Sequence, residues 1–330
     1  MNRIAIVCPG RGSYTEKSLN SLPVDHPWVR RADEIRADLD LPAIAELDRA
    51  ERFRAADHLR PANAAALIYL VSMLDATVAA AGHRVVAVAG NSMGWYTALA
   101  VAGALSFEDG FRLVQEMALI QERHGDGGQV LYPLVDEDWR ADPVRIAAVE
   151  AALASSQGDA LHSIHLGGYA VLAGTQKGVA HLLKELPQQR LGGTVYPFRL
   201  LRHGPYHTPW LAAVTDEARE RLAGLEFQRP LATLIDGRGR QHSPWSGDVD
   251  TLRDYTFGPQ VTEPYDLSAS LRVLLREYAP DRILLPGPGN TLGGVLGQVL
   301  IQEGWSGIRD KAAFQAAQAA PDPLVVSLRR

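Results

Sequence analysis

Ser92 and His207 are the residues of this 330-residue chain whose type and setting suit covalent chemistry. Ser92 stands in Gly90-Asn91-Ser92-Met93-Gly94, between the apolar run "RVVAVAG" and a stretch of small residues. Gly-x-Ser-x-Gly on a strand-to-helix turn lifts a serine hydroxyl clear of the backbone, because flanking glycines tolerate the tight approach. Such a serine can attack an acyl carbon. The competing use is simpler: a glycine-lined turn in which Ser92 caps the next helix. A serine nucleophile needs a base, usually histidine. His207, in "RHGPYHTPWL", lies in a turn-rich segment just before a helix that starts at Pro209. His203, four residues earlier, competes with it. An acyl-transfer site also needs donors for the developing oxyanion. The backbone N–H of Met93 can supply one, and the glycine-rich loop "CPGRGS" (8–13) can supply another. That loop lacks the Gly-Lys-Ser/Thr ending of a phosphate-binding loop.

These residues need elements to hold them. "RIAIVC" (3–8) and 84–90 read as strands, and the fully apolar second run suits a sheet covered on both faces. Helices are expected over about 61–81, 93–102 and 107–123, the last with Ser106 as N-cap and Glu108 and Asp109 in its first turn. Strand–helix alternation indicates a mostly parallel α/β sheet. From about 125 to 199 the rhythm changes to strand (129–135), helix (142–156), strand (161–166), strand (169–174), helix (175–186), strand (194–200). That β-α-β-β-α-β order is ferredoxin-like, with Gly167-Gly168 as the hairpin turn. The expectation is a small domain over 125–199 inserted into a large α/β domain formed by 1–124 and 200–330. The large domain resumes with a helix (209–225), a strand (231–236), a helix (267–279), a strand running into a Gly/Pro loop (281–290), a further helix and a last strand (323–328).

Composition narrows the function classes. The net charge is −5 and 46% of residues are hydrophobic, which suits a globular protein and gives no support to nucleic-acid binding. The single cysteine, Cys8, excludes an internal disulfide framework and reads as a buried thiol. The first apolar run is too short for a signal peptide. The long apolar stretch 61–82 carries Asn63, Ser72, Asp75 and Thr77, so it reads as a core helix and not a membrane span. A cytoplasmic location without membrane attachment is expected. No Cys/His cluster has metal-ligand spacing.

Together the motifs resemble the malonyl-CoA:acyl-carrier-protein transacylases and the acyltransferase domains of polyketide synthases. "CPGRGSY" is similar to that family's Phe-Pro-Gly-Gln-Gly-Ser-Gln opening, and "LRPANAAALI" to its Gln-Pro-Ala helix start. "GNSMGWYTALAVAGALSFEDGFRLV" follows its Gly-His-Ser-Leu-Gly-Glu-Tyr segment through Val114. "GPYHTPWL" resembles its Gly-x-Phe-His-Ser-Pro segment, and "LLPGPGNTLGGVL" its late Gly-Pro-Gly loop. The resemblance implies an α/β-hydrolase-like large domain with a ferredoxin-like insert. It implies a ping-pong reaction in which Ser92 takes an acyl group from acyl-CoA and passes it to the phosphopantetheine thiol of an acyl carrier protein. No tightly bound cofactor is implied. His207 would be the base, the N–H groups of Met93 and Arg11 the oxyanion hole, and a main-chain carbonyl, by position that of Gln260, would orient the histidine.

The chain departs from the family pattern where the substrate would sit. The position of the arginine that pairs with the malonyl carboxylate is Met117. The histidine before the serine is Asn91, the glutamate after the second glycine is Trp95, and the glutamine of the first loop is Arg11. The family's Asn-Ser-x-x-Gln turn reads His165-Leu166-Gly167-Gly168-Tyr169. Arg11, Asn91, Met117 and His165 are therefore the expected substrate contacts. Methionine cannot pair with an anion, so an acyl group without a free carboxylate is the first expectation. The competing one is that Arg11 replaces the missing cation. Hydrolysis of the same acyl-serine is the alternative to transfer. Arg199, Arg202 and Lys177 are candidates for a basic rim facing an acidic carrier protein.

Overall fold

The computed structural model describes residues 2–329. Its strands are β1 (Arg3–Cys8), β2 (Arg84–Gly90), β3 (Gly128–Pro133), β4 (Ala160–Leu166), β5 (Tyr169–Gly174), β6 (Gln189–Leu191), β7 (Thr194–Tyr196), β8 (Phe198–Arg199), β9 (Thr233–Ile235), β10 (Gln241–His242), β11 (Tyr265–Asp266), β12 (Arg282–Leu285) and β13 (Val325–Ser327). The large sheet has the order β10-β9-β2-β1-β12-β13 and is parallel except at the β10 edge. The strand order changes direction at β1, whose neighbours are β2 on one side and β12 on the other. That topological switch opens a crevice at the carboxyl ends of the strands. β1 and the end of β2 are buried on both faces, which explains their unbroken apolar sequence.

The helix Pro61–Ala80 runs through the core with most of its residues buried. It is the one helix among the described residues long and apolar enough to cross a membrane, and it is largely enclosed by the rest of the chain. Arg36 is buried, with no carboxylate partner among the described residues. Its guanidinium donates instead to the carbonyls of Pro42 and Ala62 and to the side chains of Gln115 and Asn63, so the charge is hydrogen-bonded throughout.

The second sheet has the order β11-β4-β5-β3-β8. Its strands from 128–199 have the ferredoxin-like antiparallel arrangement. Alternation splits its residues cleanly. Val130, Tyr132 and Leu172 point to a separate core with the helices Pro143–Ser155 and Gln176–Glu185, whereas Ile164 and Val171 join the core of the large domain. β11 is the exception in the insert, because it arrives from the large domain and pairs in parallel with β4.

Several expectations change in detail. The segment 194–200 is not one strand: β7 pairs with β6 in a hairpin and β8 pairs with β3, with Pro197 between them. Proline has no N–H for a continuous ladder. The helix expected over 209–225 is a 3-10 turn Pro209–Leu211 followed by Ala212–Arg221. The helix expected over 267–279 ends in a π-helical turn, Leu274–Tyr278. The helices Pro27–Ala37 and Val249–Phe257 had no reading from the sequence.

Candidate active site

Ser92 lies at the carboxyl end of β2 in the left-handed region, φ 54°. A non-glycine residue there is strained and needs its surroundings to hold it. The flanking glycines explain how. A Cβ on Gly90 would lie 2.1 Å from the carbonyl oxygen of Gly94, and one on Gly94 would lie 2.3 Å from that of Cys8. Both contacts are to backbone, so neither position admits another residue without movement of the strand. The N–H of Asn91 donates to Cys8 O (2.9 Å) and that of Gly94 to Asn91 O (2.8 Å), which closes the turn. The helix Gly94–Val101 starts immediately after it.

Ser92 Oγ and His207 Nε2 are 2.7 Å apart. His207 Nδ1 lies 2.7 Å from the carbonyl oxygen of Gln260. Nδ1–H donates to that carbonyl, which leaves Nε2 as the acceptor for the serine proton. His207 is also left-handed, φ 60°, and only 3% exposed. Burial lowers its pKa to about 4. The Gln260 hydrogen bond opposes that shift, and the Arg11 cation adds to it. His207 is therefore neutral at physiological pH.

Gln260 does more than its carbonyl. Its side-chain Nε2 donates to Ser92 O (3.1 Å), and its Oε1 accepts from the Tyr96 hydroxyl (2.7 Å). One residue thus ties the base loop to the elbow. The Tyr265 hydroxyl donates to Gly90 O, and its ring lies 5.3 Å from that of His207.

The N–H groups of Met93 and Arg11 have no hydrogen-bond partner among the described residues. Met93 opens the helix with helical dihedrals, φ −54° and ψ −27°. The Arg11 guanidinium lies over the Tyr206 ring at 4.2 Å, and its Nη1 is buried with no partner among the described residues. Asn91 Oδ1 is likewise buried and unpaired.

Three spaces converge on Arg11. A slit of about 20 Å³ lies against Ser92, His207, Gln121 and Leu211. An inner cavity of about 380 Å³ runs from Ser92 and Asn91 between the small sheet and the helix Thr291–Gln302. An outer cavity of about 580 Å³ passes Tyr14, Phe53 and Leu59 on one side and Arg199 to His203 on the other.

The expected contacts separate accordingly. Arg11 and Asn91 line the inner cavity beside Ser92. Met117 does not. It is 1% exposed within the core of the large domain, and Gln121, one turn further along the same helix, reaches the slit instead. His165 also differs from expectation. Ile164 and Leu166 face the inner cavity, so alternation turns His165 to the other side of β4, where it stacks on His162 at 5.1 Å. A bulge between His162 and Ile164 puts both histidines on that face. Trp95 is fully buried against Tyr255 and donates to Thr256 Oγ1 (3.1 Å).

His203, the competing base, does not reach Ser92. It contacts Gln129 Oε1 at 2.7 Å, in a chain that continues through Ser163 to the carbonyl of Tyr206. Burial, with Arg11 and His207 adding, lowers its pKa to about 3. Arg199 and Arg202 line the outer cavity, whereas Lys177 is exposed on the small domain and pairs with Asp159. Tyr206, Gln121 and Tyr265 were missed. Only Tyr206, next to His207, carried a sequence signal.

No family model matches the chain. It is 23% identical to the malonyl CoA-acyl carrier protein transacylase of Haemophilus influenzae, over 96% of this chain and 99% of that one. It is 26% identical to the enzyme of the same name from Mycobacterium tuberculosis, over 88% of this chain and 91% of that one. The polyketide biosynthesis protein ThaF of Burkholderia thailandensis is 28% identical over 97% of this chain, which corresponds to 26% of that longer protein. Among solved structures, an acyl-carrier-protein S-malonyltransferase from Burkholderia pseudomallei superposes with a TM-score of 0.75 at 21% identity, over 99% of this chain and 96% of that one. The acyltransferase domain from the second module of the salinomycin polyketide synthase gives 0.73 at 20% identity, over 100% of this chain and 69% of that one. The chain resembles the malonyl-CoA:acyl-carrier-protein transacylases along nearly its whole length and shares their fold, a large α/β domain with a small ferredoxin-like one.

Proposed function

We propose that the protein is an acyltransferase that carries an acyl group as an ester on Ser92. The donor is a coenzyme A thioester and the acceptor is the phosphopantetheine thiol of an acyl carrier protein. The observation that carries this reading is the aligned set Ser92 Oγ, His207 Nε2 and Gln260 O, with both contacts at 2.7 Å. Ser92 Oγ attacks the thioester carbon while His207 Nε2 takes its proton. The oxyanion accepts from the N–H groups of Met93 and Arg11. The C–S bond then breaks, and the leaving thiolate takes the proton from His207. In the second half the carrier thiol gives its proton to His207 and attacks the ester, and Ser92 recovers its proton. The Gln260 carbonyl fixes the imidazole tautomer throughout. Carrier-protein acceptance rests on the relatives, which are named as acyl-carrier-protein transacylases; one homologue of this fold was solved in complex with a polyketide carrier protein.

The acyl group differs from malonyl in this reading. Met117 stands in the core where the family pattern has an arginine, and the slit beside the catalytic pair has room for about one water. A malonyl carboxylate exceeds that volume and would have only Arg11, which lines the slit, as a cation in place of the family's arginine.

A second reading, hydrolysis of the acyl-serine, is favoured by that same water-sized slit against His207. Intact-protein mass measurement after brief exposure to single acyl-CoAs, with and without holo carrier protein, separates the two. Transfer gives an adduct that is absent in Ser92→Ala and discharges only when the carrier is added. Release of coenzyme A without a lasting adduct establishes hydrolysis. Neither adduct nor release from any donor overturns both.

A further inference from the structure

The inner and outer cavities share Arg11, Phe198, Leu200 and His203, but only the inner one reaches Ser92. A thioester with its carbonyl at Ser92 must send its two arms different ways from this junction. The two spaces differ in chemistry. The outer one carries Arg199 and Arg202, which suits an arm that ends in phosphate. The inner one is walled by Leu131, Ile164, Leu166 and Val171 from the small sheet and by Leu292 and Val295 from the helix behind β12. Arg11, at the junction, is the single arginine, lysine or carboxylate side chain along it. Next to Leu166 and Val295 of this wall, the β4–β5 turn docks on that helix. The N–H of Gly168 donates to Gln298 Oε1 (2.9 Å), and a Cβ on Gly167 would lie 2.8 Å from Val295 O.

Resting on the acyl-Ser92 reading above, we propose that this inner cavity is the acyl pocket and that it selects an uncharged aliphatic chain of medium length, with the pantetheine arm lying in the outer cavity. At roughly 30 Å³ for each water-sized group, a space of about 380 Å³ has room for about twelve such groups, so an octanoyl chain fits inside it and a palmitoyl chain does not. A short acyl group leaves that apolar wall unfilled, and a dicarboxylic one brings a charge to it.

The test is the rate of Ser92 acylation from acetyl-, malonyl-, octanoyl- and palmitoyl-CoA, read by intact mass on wild type, Leu131→Trp, Leu166→Trp and Leu131→Ala. Wild type is expected to prefer octanoyl over acetyl and malonyl by at least about tenfold, as added methylenes in an apolar pocket allow. Either tryptophan variant lowers the octanoyl-to-acetyl ratio by at least about tenfold, and Leu131→Ala moves the preference towards palmitoyl. Melting curves identify the variants that are folded. Leu131→Ala adds no bulk, so it keeps the test valid if both tryptophans misfold. Malonyl as the fastest donor, or ratios unmoved in every folded variant, overturns the pocket assignment while acyl-Ser92 stands. Absence of acylation from all four donors in wild type overturns the pocket together with the function on which it rests.

Discussion

The two walls of the cleft are built on opposite principles. The large-domain wall carries Ser92, Met93 and Arg11 on the loops after β2 and β1, fixed by short-range backbone contacts around Gly90 and Gly94. The small-domain wall presents Leu131, Ile164, Leu166 and Val171 from three strands, each supplied by simple alternation along a sheet. In the proposed reaction the first wall would set the chemistry and, being closed by backbone contacts, leave little room for change; the second would set what fits, because its side chains face a space. Residues on the first wall should therefore affect all acyl donors alike, and those on the second should change ratios between donors.

The largest expected effect is Ser92→Ala. It removes the proposed nucleophile, and is expected to abolish the mass adduct from every donor and to lower turnover at least about 10⁴-fold. Gly94→Ala comes next. Its Cβ would meet the Cys8 carbonyl at 2.3 Å, so a loss of about 3 kcal/mol or more is expected in thermal or urea unfolding. An unchanged melting temperature would show that the elbow is looser than these contacts require. Gln260→Ala keeps the backbone carbonyl that holds His207 and deletes the amide that ties Ser92 to Tyr96. About a tenfold fall in kcat, equal for acetyl and octanoyl donors, is expected. A donor-dependent effect would break the division between the walls.

The smallest expected effect is that of pH. His207 must be neutral to accept a proton, and its pKa lies at about 4. The acylation rate should stay level from pH 7 to 5 and halve near pH 4. The same shift has a stability consequence of defined sign. Between about 4 and the ordinary histidine value of 6.5, the unfolded chain binds a proton that the folded chain does not. The stability from burying neutral His207 is therefore complete above 6.5 and declines as pH falls to about 4. His203, lowered to about 3, extends the decline further. His203→Gln should flatten the lower part of a plot of melting temperature against pH.

The legibility of the sequence follows the same division. The elbow, the strand before it and the helix after it could be read because strain at one serine requires glycines at fixed offsets. The insert was legible from its strand–helix order, and Ser106 caps its helix as its position suggests, accepting from the Asp109 N–H at 3.0 Å. Met117 and His165 were misplaced for one reason. Motif position fixes a residue along an element but not which way it faces, and a bulge in β4 resets the alternation on which His165 depends. Tyr265 carried no signal, because its role comes only from a β-strand of two residues meeting a distant turn.

That tyrosine has a mechanical consequence. Tyr265 pairs with Ile164 as an edge residue of the small sheet, and its hydroxyl grips the carbonyl of Gly90 at the base of the nucleophile turn. A Cβ on Gly237 would press into its ring at 2.5 Å, so its seat leaves no slack on that side. The small-sheet wall of the inner cavity and the turn that carries Ser92 thus hang from one strut. Any swing of the small sheet away from the elbow must first break that strut. In the proposed acyl pocket, that strut would hold the small-sheet wall at a fixed offset from Ser92.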